Sequence, residues 1–177
     1  MKIKFIVTLS FAGFMFSCAP LSKEVMRQVE ENLTYQAVHS APEQYVGKTV
    51  LWGGVIIETT NKQGETVVKV RQTELDIKKR PKKLDHSAGR FMVRYAGFLD
   101  PALYQEGREI TTVGVVIGQE TLPLGDTQYS YTVIQARETY LWEKRKPVVY
   151  YHPWFWKYPY WWDPYGYPYW PNRSYYW

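Results

Sequence analysis

Two long stretches rich in Val and Ile, each broken by glycine near its middle, restrict what this chain can fold into more than any other feature. Lys48 to Thr60 reads as one strand interrupted by Gly53-Gly54, with both faces apolar near the pair. Glu109 to Gly118 reads as another, interrupted by Gly114. A glycine inside a strand gives up a side chain that would pack, so it marks a bulge or a sharp bend. Long strands with such bends suit a small barrel, where a strand must turn the corner.

Three further strands follow from alternation. A turn at Asn61 to Gly64 leads into Thr66 to Gln72, where Val68 and Val70 alternate with Lys69 and Arg71. Arg90 to Tyr95 places Phe91, Val93 and Tyr95 inward and Arg90, Met92 and Arg94 outward. A turn near Gly125-Asp126 precedes a fifth strand, Tyr129 to Trp142. Between the third and fourth strands, Asp100 can cap a helical turn, Pro101 fits its first position and Gly107 can end it. The expected fold is mainly β: a five-stranded, OB-like Greek-key barrel over residues 37–143. A short helix is expected between strands 3 and 4, an N-terminal helix before the barrel, and an irregular aromatic tail after it.

The N-terminus carries a different signal. Lys2 and Lys4 precede a nearly unbroken apolar run, Phe5 to Phe16, shorter than the roughly 20 residues that span a bilayer. Ser17 and then Cys18, the only cysteine, close that run. A single cysteine excludes an intramolecular disulfide, and its position matches the cleavage site of a lipoprotein signal peptide. Residues 1–17 are then removed and Cys18 carries the lipid. The competing reading is an ordinary secretory signal with an incidental cysteine. Two acyl chains on Cys18 and a third on its amine would anchor the chain stably, where one chain binds only marginally. Ala19 stands where an Asp would retain a lipoprotein in the inner membrane, which points to the outer one, facing the periplasm. Removing Lys2 and Lys4 leaves 20 basic against 17 acidic residues, an excess too mild to dictate a partner. Within the anchor segment, residues 18–36, Leu21, Val25, Met26, Val29 and Leu33 recur at helical spacing behind Ser22, a plausible N-cap. Such a helix docks on its own domain or binds a partner.

Several segments together resemble the Slp family of bacterial outer-membrane lipoproteins, also described as starvation-inducible. They are Val38-His39, Pro42, Tyr45-Val46-Gly47, Trp52-Gly53-Gly54-Val55-Ile56, Gly89-Arg90-Phe91, Gly97-Phe98-Leu99-Asp100-Pro101 and Tyr104, with Cys18 upstream. The resemblance covers about residues 33 to 143. It implies an outer-membrane lipoprotein associated with starvation or stationary phase, and it supplies no catalytic residues.

The residues themselves give catalysis little support. His39, His86 and His152 lie far apart, without zinc spacing, and no nucleophile elbow or phosphate-cradling glycine loop occurs. Asp85-His86-Ser87 has the residue types of a hydrolase triad, but sequence neighbours rarely reach triad geometry, and a polar loop explains them. No metal or cofactor is expected.

Two features could bind something. Lys78, Lys79, Arg80, Lys82 and Lys83 place five cations in six positions, a density suited to anionic surfaces such as lipopolysaccharide, although a solvated loop would look the same. OB-like barrels also bind single-stranded nucleic acid, but a lipidated chain outside the cytoplasm seldom meets it. The second feature is the tail, residues 144–177. It holds much of the chain's 18% aromatic content, interleaved with Pro153, Pro159, Pro164, Pro168 and Pro171. Proline at that frequency blocks helix and central strand alike. Trp154, Trp156, Trp161, Trp162 and Trp170 suit a membrane–water interface or sugar faces. A tail folded back on the barrel, or a disordered one, is the plainer alternative. The sequence thus points to a non-enzymatic envelope module contacting lipopolysaccharide, peptidoglycan or an envelope protein. The alternative is a glycan- or oligosaccharide-binding accessory protein.

Overall fold

The computed structural model describes residues 21–146. Five strands, β1 (Thr49–Lys62), β2 (Glu65–Thr73), β3 (Arg90–Ala96), β4 (Glu109–Leu124) and β5 (Thr127–Leu141), close into a barrel in the order β1-β2-β3-β5-β4. All neighbours are antiparallel except β3 and β5, which run parallel. The expected five-stranded barrel is therefore present. β4 and β5 run further than the sequence suggests and meet at a tight Gly125-Asp126 turn.

The glycine pair in β1 sits where this strand changes partners. Gly53 faces Thr73 on β2 and Thr111 on β4, while Gly54 faces Gln72 and Ile110. A β-carbon on Gly54 would lie 1.9 Å from the backbone oxygen of Arg71. No side chain fits there. The register shift in β1 comes later, between Ile56 and Glu58. Gly114 in β4 lies at a register shift against β5, and a β-carbon there would lie 2.7 Å from the carbonyl oxygen of Gln135.

Inward residues form one apolar cluster. Trp52 and Phe91 meet edge to face at 5.4 Å, and Tyr35 meets Trp52 in the same way at 5.1 Å. Val50, Ile56, Val68, Val70, Val93 and Ile134 fill the space around them. Tyr35 comes from a helix absent from the sequence reading. Where the barrel was expected to begin, at Ala37, the chain forms a helix, Tyr35–Ser40, followed by a 3-10 turn, Pro42–Tyr45. Thr34 caps the helix by accepting the N–H of Ala37 at 3.2 Å, and Tyr35 and Val38 are buried.

The expected N-terminal helix is shorter than its apolar spacing suggests. It covers only Lys23–Met26, with Ser22 as the N-cap. We call it α1, and the Tyr35–Ser40 helix α2. The segment docks on its own domain: Ser22 donates from N and Oγ to the Glu138 carboxylate, and Glu30 N–H donates to Thr49 O at 3.0 Å. Between β3 and β4 the expected short helix is a single turn. Tyr104 and Leu103 N–H donate to Asp100 O at 2.9 and 3.0 Å, and Ala102 N–H donates to the Asp100 carboxylate at 2.9 Å. Met92 points away from Phe91 as expected, yet it is buried. It packs with Val67, Tyr131 and Val133 in a second cluster on the outer face.

Replacing Gly54 with Ala should destabilise the barrel by more than Phe91→Ala, which should cost about 3–5 kcal/mol for a fully buried ring. Asp100→Ala should cost about 1 kcal/mol, the usual loss of a cap. Denaturant unfolding measures all three. An unchanged midpoint for Gly54→Ala would contradict the strand crossing.

Candidate functional site

The basic run lies in the loop between β2 and β3, which is pinched by a bridge between Leu75 and Pro81. Backbone geometry here is tight: Lys79 and Lys83 both adopt positive φ, uncommon for residues other than glycine. The five cations do not form one patch. Lys83 and Lys82 pair with the Glu74 carboxylate at 3.1 and 3.4 Å. The bond from Lys83, aided by Lys82, holds that carboxyl below the usual range.

Arg80 turns back onto the barrel. Its Nε donates to Glu109 at 2.6 Å, its guanidinium lies 5.4 Å from the centre of the Trp142 ring, and it also donates to Glu143 O at 2.8 Å. Glu109 is 7% exposed, so this is a largely desolvated pair. Arg80 ties the loop to the start of β4 and the residues after β5. Lys79 gives its carbonyl to the Thr111 hydroxyl at 2.7 Å, and Lys78 and Lys79 are both exposed. Next to them Ile77 is 98% exposed. The loop thus presents less net charge to a partner than its five cations suggest.

Beside this loop is a cleft of about 580 Å³ that sequence reasoning missed. Leu33 to Gln36, Leu51 to Gly53, Gln72 to Asp76 and His86 to Ala88 form its walls, with Lys79 at its edge. Four separate stretches build it, and no linear pattern announces it. Of the expected binding residues it brings in only Lys79.

The possible triad is a turn. Ser87 Oγ donates to Gly89 O at 2.9 Å and accepts its N–H at 3.2 Å, while His86 N–H donates to Lys83 O. His39 serves packing. Its ring stacks on Tyr35 at 5.3 Å, near Tyr129, and its Nδ1 meets the Thr132 hydroxyl at 3.0 Å. Burial, with Tyr129 as neighbour, pushes the Tyr35 phenol well above the usual tyrosine range, so it stays a neutral donor to Arg90 O at 2.8 Å. Among the described residues no cluster of His, Cys, Asp or Glu could hold a metal ion, and no helix is long and apolar enough to cross a membrane. Cys18, His152 and the tryptophans Trp154, Trp156, Trp161, Trp162 and Trp170 lie outside the described residues.

Comparison with known proteins places these features in context. The model of the "Outer membrane lipoprotein Slp family" matches residues 15–171. The chain belongs to the Slp family. It is accordingly a lipid-anchored protein of the outer membrane. Its relatives include "Outer membrane protein Slp" of Escherichia coli K12, 28% identical over 90% of this chain and 88% of that one. A second E. coli K12 relative, "Uncharacterized lipoprotein YeaY", is 34% identical over 73% of this chain and 68% of its own. An uncharacterized protein of Haemophilus influenzae is 34% identical over 54% of this chain and 52% of its own. The segments that carry the family resemblance are largely structural. Trp52 to Ile56 forms the crossing of β1, and Gly97 to Pro101 forms the turn after β3, where Leu99 is buried.

Because Glu74 contacts two of the loop's cations and offsets one positive charge, Glu74→Gln should strengthen binding of the soluble protein to anionic vesicles. It should also steepen the salt dependence of binding, read by co-sedimentation across a salt series. Acidification acts in the same direction. The folded carboxyl titrates below its unfolded value, so its pairing is complete above the unfolded range and lost as pH falls through the folded value. Unchanged vesicle binding by Glu74→Gln at low salt would mean that the loop makes no contact.

Proposed function

We propose that this Slp-family chain is a non-enzymatic envelope module. Acyl chains on Cys18 hold it to the periplasmic leaflet of the outer membrane, and its aromatic tail makes the main further contact with envelope material. The partial pairing of the basic loop's cations carries this reading. Arg80 sits on Glu109, and Lys82 and Lys83 on Glu74, so of the loop's five cations Lys78 and Lys79 are the two for which the described residues show no ion pair. Each cation near an anionic surface contributes about 1 kcal/mol, and salt screens it. The tail offers rings whose burial salt cannot screen, at about 25 cal/mol per Å². Lipopolysaccharide, peptidoglycan and an envelope protein are the candidate partners. The family's link to starvation fits a protective role within the envelope.

The barrel closes before the tail begins, so the two can be separated. Trp142 Nε1 donates to Thr111 Oγ1 at 2.9 Å and Glu143 O accepts from Arg80, which puts the safe cut after Lys146. Soluble protein with and without residues 147–177 should be sedimented with vesicles and with peptidoglycan across a salt series. We expect the truncated form to stay folded and lose binding, with little effect of salt on the full chain. Equal binding by both forms at every salt concentration would remove the tail from the proposal.

The anchor has its own test. Cys18→Ser should abolish acyl labelling and leave precursor, or soluble periplasmic protein. An intact mass of the wild-type chain without lipid would refute the tether.

A further inference from the structure

The cleft beside the β2–β3 loop has no part in the contact just proposed. We propose that it is a binding site for a short uncharged oligosaccharide bearing hydroxyl and acetamido groups. At about 580 Å³ it falls within the roughly 300–1,000 Å³ typical of small-ligand sites. Its walls are held in place by contacts of their own. Tyr35 is fixed to Arg90 O, Thr34 caps α2, and Arg80 pins the loop to Glu109. A wall that is already ordered loses little freedom when a ligand arrives.

The lining selects the chemistry. Gln36 supplies an exposed amide and His86 an exposed imidazole, while Thr34, Gln72 and Ser87 keep hydrogen-bonding capacity beyond the bonds they already make within the protein. Its two carboxylates are engaged elsewhere. Glu74 holds Lys82 and Lys83, and Asp76 accepts the backbone N–H of Arg80 at 2.9 Å. Lys79 is the only basic side chain of the lining apart from the imidazole. One cation is too few for a polyphosphate or nucleic acid strand, whose binding depends on several. An acyl chain would meet Leu33, Leu51 and Leu75 but bury the Gln36 amide and the His86 imidazole without partners, which disfavours it. A sugar satisfies both constraints, because its hydroxyls and amides exchange hydrogen bonds with such side chains while its ring carries no charge. Trp52 forms part of the lining, is 3% exposed, and its indole Nε1–H has no acceptor among the described residues. That nitrogen is closed off from solvent, so Trp52 contributes to the cleft as packing and offers a ligand no hydrogen bond.

The test titrates the full-length acylated protein in detergent micelles with trimers of N-acetylglucosamine and of glucose, followed by calorimetry. Saturable binding is expected for the acetylated trimer, and weaker binding for glucose, which lacks the amides. Gln36 is exposed on α2 at the mouth, so Gln36→Trp should obstruct the cleft without touching the core. It should weaken binding by about tenfold, equivalent to about 1.4 kcal/mol. His86→Ala should weaken it several-fold. Lys62→Ala, at the distant β1–β2 turn, should leave it unchanged. Unfolding midpoints check that each variant is folded. No saturable binding of either trimer, or equal binding by folded Gln36→Trp, would overturn the proposal. Binding that survives Gln36→Trp but disappears on truncation after Lys146 would assign the sugar to the tail and overturn the cleft while leaving the tail's role intact.

Discussion

At Gly53 and Gly54, β1 lies within backbone contact of β2 on one side and β4 on the other, and the closure of the barrel passes through those two residues. A strand in an open sheet can hold two neighbours along its whole length without special residues. Here β1 pairs with β4 from Thr49 to Val55 and with β2 from Gly53 to Lys62, so the two ladders overlap only at the bend. The Arg71 backbone oxygen occupies the place a β-carbon of Gly54 would need. Once the bend is made, Trp52 faces the interior, and its edge-to-face contacts with Tyr35 and Phe91 join the first strand, α2 and β3. Pairs of this kind add about 0.5–1.5 kcal/mol each beyond the area they bury. The bend and the aromatic cluster are therefore one device, and the sequence keeps them adjacent as Trp52-Gly53-Gly54.

That adjacency explains which parts of the fold could be read from sequence. Strand alternation reports one buried face, so Phe91, Val93, Val68 and Val70 identified themselves, and turn residues located the hairpins. The α2 helix did not, because six residues with buried side chains at Tyr35 and Val38 carry too little periodicity to stand out. Packing under Trp52 fixes it rather than propensity, which makes an isolated helix this short unstable. The outward Met92 misled for the complementary reason. Its burial depends on Val133 and Tyr131 of β5, and only the parallel β3–β5 pairing brings those close.

Charge was the least legible property. A run of cations looks the same whether its members face solvent or carboxylates, and the partners here are distant or reversed in direction. Arg80 reaches Glu109 across 29 residues and Lys83 folds back to Glu74. Glu109 is 7% exposed, so Arg80 meets a largely desolvated carboxylate at the start of β4. A loop that the sequence leaves open between a solvated turn and an anionic-surface contact is tied to the barrel through Arg80, and it forms one wall of the cleft. The cleft itself was invisible because its lining is assembled from four stretches that only the closed barrel brings together.

The N-terminal docking also limits where the barrel can stand. Ser22 is held by the Glu138 carboxylate on β5, at 2.7 Å from its hydroxyl and about 3 Å from its N–H. With Cys18 acylated, four residue steps separate the lipid from that fixed point, a reach of at most about 14 Å at 3.3–3.6 Å per residue. A barrel tethered at Cys18 would stay close against the leaflet that holds the lipid. Arg137 donates to the Gln28 amide oxygen and Lys48 pairs with Glu30 at 3.0 Å, which extends the same docking along the barrel wall. The tether thus fixes proximity, and neither the tail nor the cleft has to supply it. Their contacts need only be strong enough to act at the high local concentration that a short tether imposes, for which weak affinities suffice.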